Sequence, residues 1–142
     1  MKIYIGSDHA GFLLKEAIKE ALMKDYEVID CGTNSTESVD YPDYANLVCE
    51  KMTDSDKGIL VCYTGIGMSI AANKHKGIRA ALVGKLEDAV LTREHNDANV
   101  LCLSAKNTST EDALAICKAF LTTNFSGGRH QRRVDKIGQI ER

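Results

Sequence analysis

The sequence predicts an α/β fold, a three-layer α/β/α sandwich built on a five-stranded parallel, Rossmann-like sheet. Three observations predict it. Five short apolar runs alternate with amphipathic stretches along 142 residues. The runs are continuously apolar, as strands covered on both faces are. The residues with chemical potential fall largely where those runs end, and in such sheets ligands bind at the carboxyl ends of the strands.

Lys2–Gly6 is a strand that ends in Gly6-Ser7-Asp8-His9. Leu14, Ala17, Ile18, Ala21 and Leu22 then recur at i, i+3, i+4, i+7 and i+8, one face of a helix. Glu16 and Glu20 can pair with Lys19 and Lys24 on its wet side. Tyr26–Asp30 is a second strand, closed by Cys31-Gly32-Thr33 and a polar loop to Asp40. Pro42 marks the start of a helix carried by Tyr44, Ala45, Leu47, Val48 and Met52. Gly58–Cys62 is strand three, and Gly65-Ile66-Gly67 turns the chain into a helix reaching about Lys74. Ile78–Val83 is strand four. Leu86, Ala89, Val90 and Arg93 mark a helix ending near His95, with His95 and Asn96 in the link to strand five at Asn99–Leu103. Thr108-Ser109-Thr110-Glu111 has the spacing of a capping box and opens a helix with Ala113, Ile116, Cys117, Phe120 and Leu121 on one face. Gly127-Gly128 ends it, and a last helix holds Val134, Ile137 and Ile140. No repeat or linker divides the chain, so residues 1–142 read as one domain with a C-terminal helical segment from about residue 126.

Composition narrows the function. A hydrophobic content of 44% supports a sizeable core. The net charge of −2, from 18 basic and 20 acidic residues, gives no basic field, so nucleic acid is not an expected partner. The one dense basic run, Arg129-His130-Gln131-Arg132-Arg133, suits a single phosphate group better than a duplex. No apolar run approaches the ~18 residues of a membrane span, and no signal-peptide pattern opens the chain, so no membrane partner is expected. Five scattered cysteines without CxxC or zinc spacing read as reduced thiols of a cytoplasmic protein with no metal site.

The chemistry gathers around Cys62-Tyr63-Thr64-Gly65-Ile66-Gly67, a buried strand followed by a glycine turn and a helix start. Gly65-x-Gly67 seats an anion on free N–H groups, or is an ordinary tight turn. Ile70 excludes a dinucleotide fingerprint, no Gly-Lys-Ser/Thr follows for a P-loop, and Met68 stands where a cysteine phosphatase needs arginine. Cys62 is either a small core residue or a base, since a helix start favours the thiolate. Thr64 can hydrogen-bond at the same centre. His95 is a helix cap or an acid–base group working near neutral pH. Asp8-His9 reads as a plain N-cap of the first helix or as a ligand contact at the strand end, and the two are compatible. Arg129 and Arg133, four apart, form a solvated basic face or a two-pronged phosphate grip. His75 lacks a partner at metal spacing and reads as a surface residue.

Six motifs in order resemble the type B ribose-5-phosphate isomerases: Gly6-Ser7-Asp8-His9-Ala10-Gly11, Asp40-Tyr41-Pro42-Asp43-Tyr44-Ala45, the run from Cys62 to Lys74, Gly77-Ile78-Arg79-Ala80, Arg93 to Val100, and Gly127-Gly128-Arg129-His130-Gln131. The resemblance implies an aldose–ketose isomerase that acts on a small sugar phosphate without metal or cofactor. It implies Cys62 as the base that moves a proton from C2 to C1, with Thr64 assisting. N–H groups of the turn through Tyr63, Gly65, Ile66 and Gly67, with Asn96, would hold the enediolate oxygens. His95 would open the sugar ring, Asp8 would bind hydroxyls and Tyr41 would lie near the substrate. His9, Arg129 and Arg133 would hold the phosphate. A homodimer or dimer of dimers with a shared active site is implied. In two places the chain departs from the family pattern. Tyr63 stands where glycine is usual. Lys106 stands where arginine commonly binds phosphate, which keeps the charge and loses the bidentate geometry. A six-carbon substrate, allose or galactose 6-phosphate, and a catalytically silent sugar-phosphate sensor are the alternatives; the intact Cys62, Thr64 and His95 speak against the sensor.

Overall fold

A computed structural model describes residues 1–141. Its elements run β1 (Lys2–Ser7), α1 (Phe12–Leu22), β2 (Glu27–Asp30), α2 (Tyr41–Lys51), β3 (Lys57–Cys62), α3 (Ile66–Ala72), β4 (Ala80–Leu82), α4 (Leu86–Asn96), β5 (Val100–Ser104), α5 (Thr110–Thr122) and α6 (Arg129–Ile140). All five strands are parallel, in the order β2-β1-β3-β5-β4. The chain builds outward from β1 to β2, then crosses back to β3. The crevice between β1 and β3 is therefore the switch point where such sheets bind ligands.

Alternation along the strands divides the core in two. Ile3, Ile5, Ile59, Val61, Leu101 and Leu103 pack with Ile18, Ala89 and Phe120 of α1, α4 and α5. Tyr4, Leu60, Cys62, Val100 and Cys102 pack with Val48 and Met68 of α2 and α3. Each fully buried Ile, Leu or Phe contributes about 1.5–3 kcal/mol, so both helical layers are needed to hold the sheet. Cys62 thus faces the α2–α3 layer. Gly11 sets the other side of the crevice: a Cβ there would fall 2.4 Å from the carbonyl oxygen of Val61, so only glycine lets the chain enter α1 this close to β3.

Several boundaries differ from the sequence reading for local reasons. β4 spans only Ala80–Leu82 because it is an edge. The Asn73 amide stands in for a neighbouring strand, donating from Nδ2 to the Ala80 carbonyl and accepting the Ala80 N–H at Oδ1. α3 correspondingly ends at Ala72, before the expected Lys74. The cap of α5 is Ser109, whose Oγ accepts the Asp112 N–H at 3.1 Å, one residue later than the expected box. Leu47 faces outward from α2. His75 is half-buried, its Nδ1 against the Ala71 and Ala72 carbonyls and its Nε2 2.6 Å from Asn46 Oδ1. Asp8 does not cap α1, whose N-cap is Gly11.

The wet face of α1 also differs. Glu16 pairs with Lys19 at 2.9 Å, as expected, but among the described residues Glu20 and Lys24 form no ion pair. Lys15, fully buried, turns inward and donates to both oxygens of Asp30, at 2.7 and 2.8 Å. Asp30 also accepts from Lys19 and from the Gly32 N–H. This pins the end of β2 to α1 beside the crevice. Burial pushes the Asp30 carboxyl up, but the hydrogen bonds from Lys15, Lys19 and Gly32 outweigh it and leave the group below its ordinary value of 3.8.

A carboxyl lowered in the folded state gives stability that is present above its unfolded value and lost as pH falls through the folded one. Asp30→Asn should therefore lose about 3 kcal/mol at neutral pH, the low end for a broken buried pair because Glu16 remains. It should also flatten the loss of stability below about pH 3.8, followed by urea unfolding at several pH values. An unchanged acid slope would show that Asp30 is not the responsible group.

Candidate active site

The site begins where β3 ends. Its ladder with β5 continues past the strand, since the Ala105 N–H donates to the Cys62 carbonyl at 3.0 Å and the Lys106 N–H to the Tyr63 carbonyl at 2.8 Å. The backbone is therefore fixed up to Tyr63. Gly65 then adopts φ +78° as the N-cap of α3. A Cβ at this residue would lie 2.4 Å from a Leu82 methyl and would be strained by the left-handed backbone. This tight reversal aims the Gly65 N–H at the sulfur of Cys62, 3.2 Å away. The thiol is thus held as an acceptor at the start of a helix, just below the surface at 4% exposure.

The other cysteines lack this setting. Burial pushes the Cys49 and Cys117 thiols up to about 12, and raises Cys102 and Cys31 as well. Among the described residues no three His, Cys, Asp or Glu side chains are grouped to hold a metal ion.

Around the sulfur, the Thr64 hydroxyl accepts the Ile66 N–H at 3.3 Å. The Tyr41 ring lies over Gly67, where a Cβ would come within 2.7 Å of it; this joins the start of α2 to the turn. From the β1 side, the Asp8 N–H donates to the Val61 carbonyl and Asp8 Oδ1 accepts the Gly11 N–H, at 3.2 and 3.0 Å. The carboxylate is so clamped beside β3. His9 Nδ1 accepts the Val39 N–H at 3.1 Å, which leaves Nε2 free to donate. Lys106 places its ammonium 5.6 Å from the centre of the Tyr63 ring. Asp8, His9, Tyr41, Cys62, Tyr63, Thr64, Gly65, Ile66, Gly67 and Lys106 therefore share the carboxyl edge of the sheet.

His95, Asn96, Arg129 and Arg133 do not join them. His95 and Asn96 form the last turn of α4 rather than a link, and Asp97 at φ +47° turns the chain back into β5. Because α4 runs against the strands, its end lies at their amino edge. From Val100 to Ser104 the sheet rises ~13 Å, so the two edges are at least that far apart. The His95 ring stacks on His130 of α6 at 4.3 Å and 13°. Arg129 and Arg133 occupy the first turns of the same helix. Withdrawal from water in the stack, then His95, Arg129 and Arg133, hold His130 below the usual imidazole range. A cavity of about 610 Å³ opens at this edge, lined among others by Asn96, Arg79, His75 and Ile137.

Two contributors escaped the sequence reading. His130 lies in a basic run and in one of the six motifs, and neither gives it a role of its own. Ser104, at the end of β5, donates to the Tyr63 carbonyl and accepts the Asn107 N–H, bracing the turn; a polar residue closing an apolar strand was its only signal.

A family model described as Ribose/Galactose Isomerase matches residues 3–137. The chain belongs to that family. A protein of Mycoplasma genitalium named probable ribose-5-phosphate isomerase B is 48% identical, over 99% of this chain and 95% of its own. The ribose-5-phosphate isomerase B structure of Clostridium thermocellum superposes with a TM-score of 0.96 at 51% identity, covering 99% of this chain and 97% of that one. The Mycoplasma genitalium isomerase B structure with bound ribulose-5-phosphate gives 0.94 at 48% identity, covering 97% and 94%. The matched residues, 3–137, take in both edges of the sheet.

Cys62 should be the thiol that iodoacetamide alkylates first in the folded protein at pH 8, at least about tenfold faster than the other four, read by peptide mass spectrometry. Labelling of Cys31 at the same rate would contradict the distinct setting of Cys62.

Proposed function

We propose that this protein interconverts ribose 5-phosphate and ribulose 5-phosphate by proton transfer between C2 and C1. The observation that carries the reading is the Cys62 sulfur held by the Gly65 N–H at the switch point of a ribose/galactose isomerase fold. An aldose–ketose exchange needs a base at carbon, donors for the enediolate oxygens, an acid–base group at the ring oxygen and a distant phosphate anchor. Cys62 is the base: its sulfur takes the C2 proton and returns it to C1. The Thr64 hydroxyl and N–H groups of the Tyr63–Gly67 turn stabilise the oxygens as charge develops. Asp8 and Tyr41 orient the sugar hydroxyls, and His9 Nε2 and Lys106 reach the phosphate. Binding energy gathered at the phosphate orients the carbon that reacts.

His95, Asn96, Arg129 and Arg133 complete this site from a second copy of the chain. A two-fold axis perpendicular to the strands reverses the second sheet, which brings its amino edge beside the first copy's carboxyl edge. The resulting interface is isologous and contains two equal sites. Ile66 and Ile70 on α3, Leu82 on the β4 edge and Leu86 on α4 are all exposed and apolar, the surface such a contact covers. In α6 only Val134 is buried within its own chain, while Ile137 and Ile140 stand exposed, which supports packing of this helix on the partner. The partner's His95 then passes a proton to the ring oxygen to open the sugar, and its Arg129 and Arg133 grip the phosphate. No helix of the described residues is long and apolar enough to cross a membrane. The reading places the protein in the cytoplasm, where a thiol base stays reduced.

Ribose 5-phosphate incubated with the protein in deuterated water should isomerise and take deuterium at carbon, read by proton NMR. Cys62→Ala should lower kcat about a thousandfold, the scale of a lost general base, with inhibition by inorganic phosphate unchanged. Full activity in Cys62→Ala would remove the cysteine from the mechanism; deuterium enters the product only to the extent that the S–H exchanges with solvent before the proton is returned.

A further inference from the structure

Two residues at the carboxyl edge, Tyr63 and Lys106, form a pair of their own. Lys106 donates its N–H to the Tyr63 carbonyl, so the two side chains leave adjacent, hydrogen-bonded backbones one step beyond Cys62. The Lys106 ammonium sits 5.6 Å from the Tyr63 ring centre, within the range of a cation–π contact. Among the described residues no carboxylate lies within ion-pair distance of that ammonium. Tyr63 is 56% exposed, so the ring face beside the ammonium lies at the surface, where a substrate can reach the charge. Cys62 faces the α2–α3 layer, and alternation along the extended chain turns the next residue to the other side.

We propose that Tyr63 is a positioning residue: its ring holds the flexible Lys106 ammonium at the mouth of the site so that it meets the substrate phosphate without first being ordered. The proposal rests on the isomerase reading for the role of Lys106 but not for the pair itself. A lysine has a long, freely rotating stem and a single point charge. Ordering it on binding costs rotamer entropy, and a ring beneath the ammonium removes part of that cost in advance. The ring also leaves the charge free, which a carboxylate partner would neutralise.

The test is a cycle of Tyr63→Leu, Tyr63→Phe, Lys106→Gln and the double variant Tyr63→Leu/Lys106→Gln. KM and kcat are measured with ribose 5-phosphate, and binding of inorganic phosphate by calorimetry. Tyr63→Leu should raise KM and the phosphate Kd together by about two- to fivefold, the worth of an exposed cation–π contact, with little change in kcat. Tyr63→Phe, which keeps the ring face, should give back most of that loss. With Lys106→Gln already present, Tyr63→Leu should add nothing. A Leu effect that persists in the Lys106→Gln background, a Phe variant that behaves like Leu, or a change confined to kcat would each overturn the proposal. Calorimetry reads the pair even if the chain does not turn over ribose 5-phosphate, so failure of the isomerase reading and failure of the pair give different results.

Discussion

Everything in this molecule depends on one constraint: its five strands all run the same way. A parallel sheet has two unlike edges. Every strand-to-helix exit lies at one, and every helix-to-strand return at the other. Asp8, Cys62 and Lys106 follow strands and gather at the first edge. His95 and Asn96 close a helix that returns to the sheet and are carried to the second. Under the proposed function, the topology that gathers the base, its donors and a phosphate contact at one edge also carries the ring-opening group to the other. On that reading each copy would supply two half-sites, and a two-fold pairing is the simplest operation that would join them.

Within the first edge, close approach does the positioning. Gly11 lets α1 begin against the Val61 carbonyl, Gly67 lets the Tyr41 ring lie on the turn, and Gly65 reverses the chain over Leu82. Each leaves no room for a Cβ, so only glycine allows these close approaches around the turn. The buried Lys15–Asp30 pair serves the neighbouring wall, tying the end of β2 to α1. Breaking it leaves an ammonium without its main partner inside the protein, so the wall is held by the cost of the alternative.

The layered fold was legible because the strands are covered on both faces and so read as unbroken apolar runs. The turn at Cys62 was legible because its chemistry is local, a thiol and two glycines within six residues. Contacts between distant residues were not. Ile78 and Arg79 read as strand, but the Asn73 amide caps the edge and shortens β4. Lys15 sits on a helix whose charges otherwise read as solvated, and nothing near it in sequence announces Asp30 as its partner. The chemistry of His95 reads as a helix cap or an acid–base group, and only the direction of its helix decides which edge of the sheet it reaches. The Tyr63 ring and the Lys106 ammonium meet only because β3 and β5 are neighbours.

The central claim is that one working site takes Cys62 from one copy and His95 from another. Subunit complementation tests it most directly. Cys62→Ala and His95→Asn chains, each inactive alone, are unfolded, mixed in equal amounts and refolded together. In a mixed dimer one site carries both defects and the other carries neither. Half of the dimers are mixed, so activity should return to about a quarter of the parental value. Mixtures as inactive as their components would contradict the shared site and require both residues to act within a single copy.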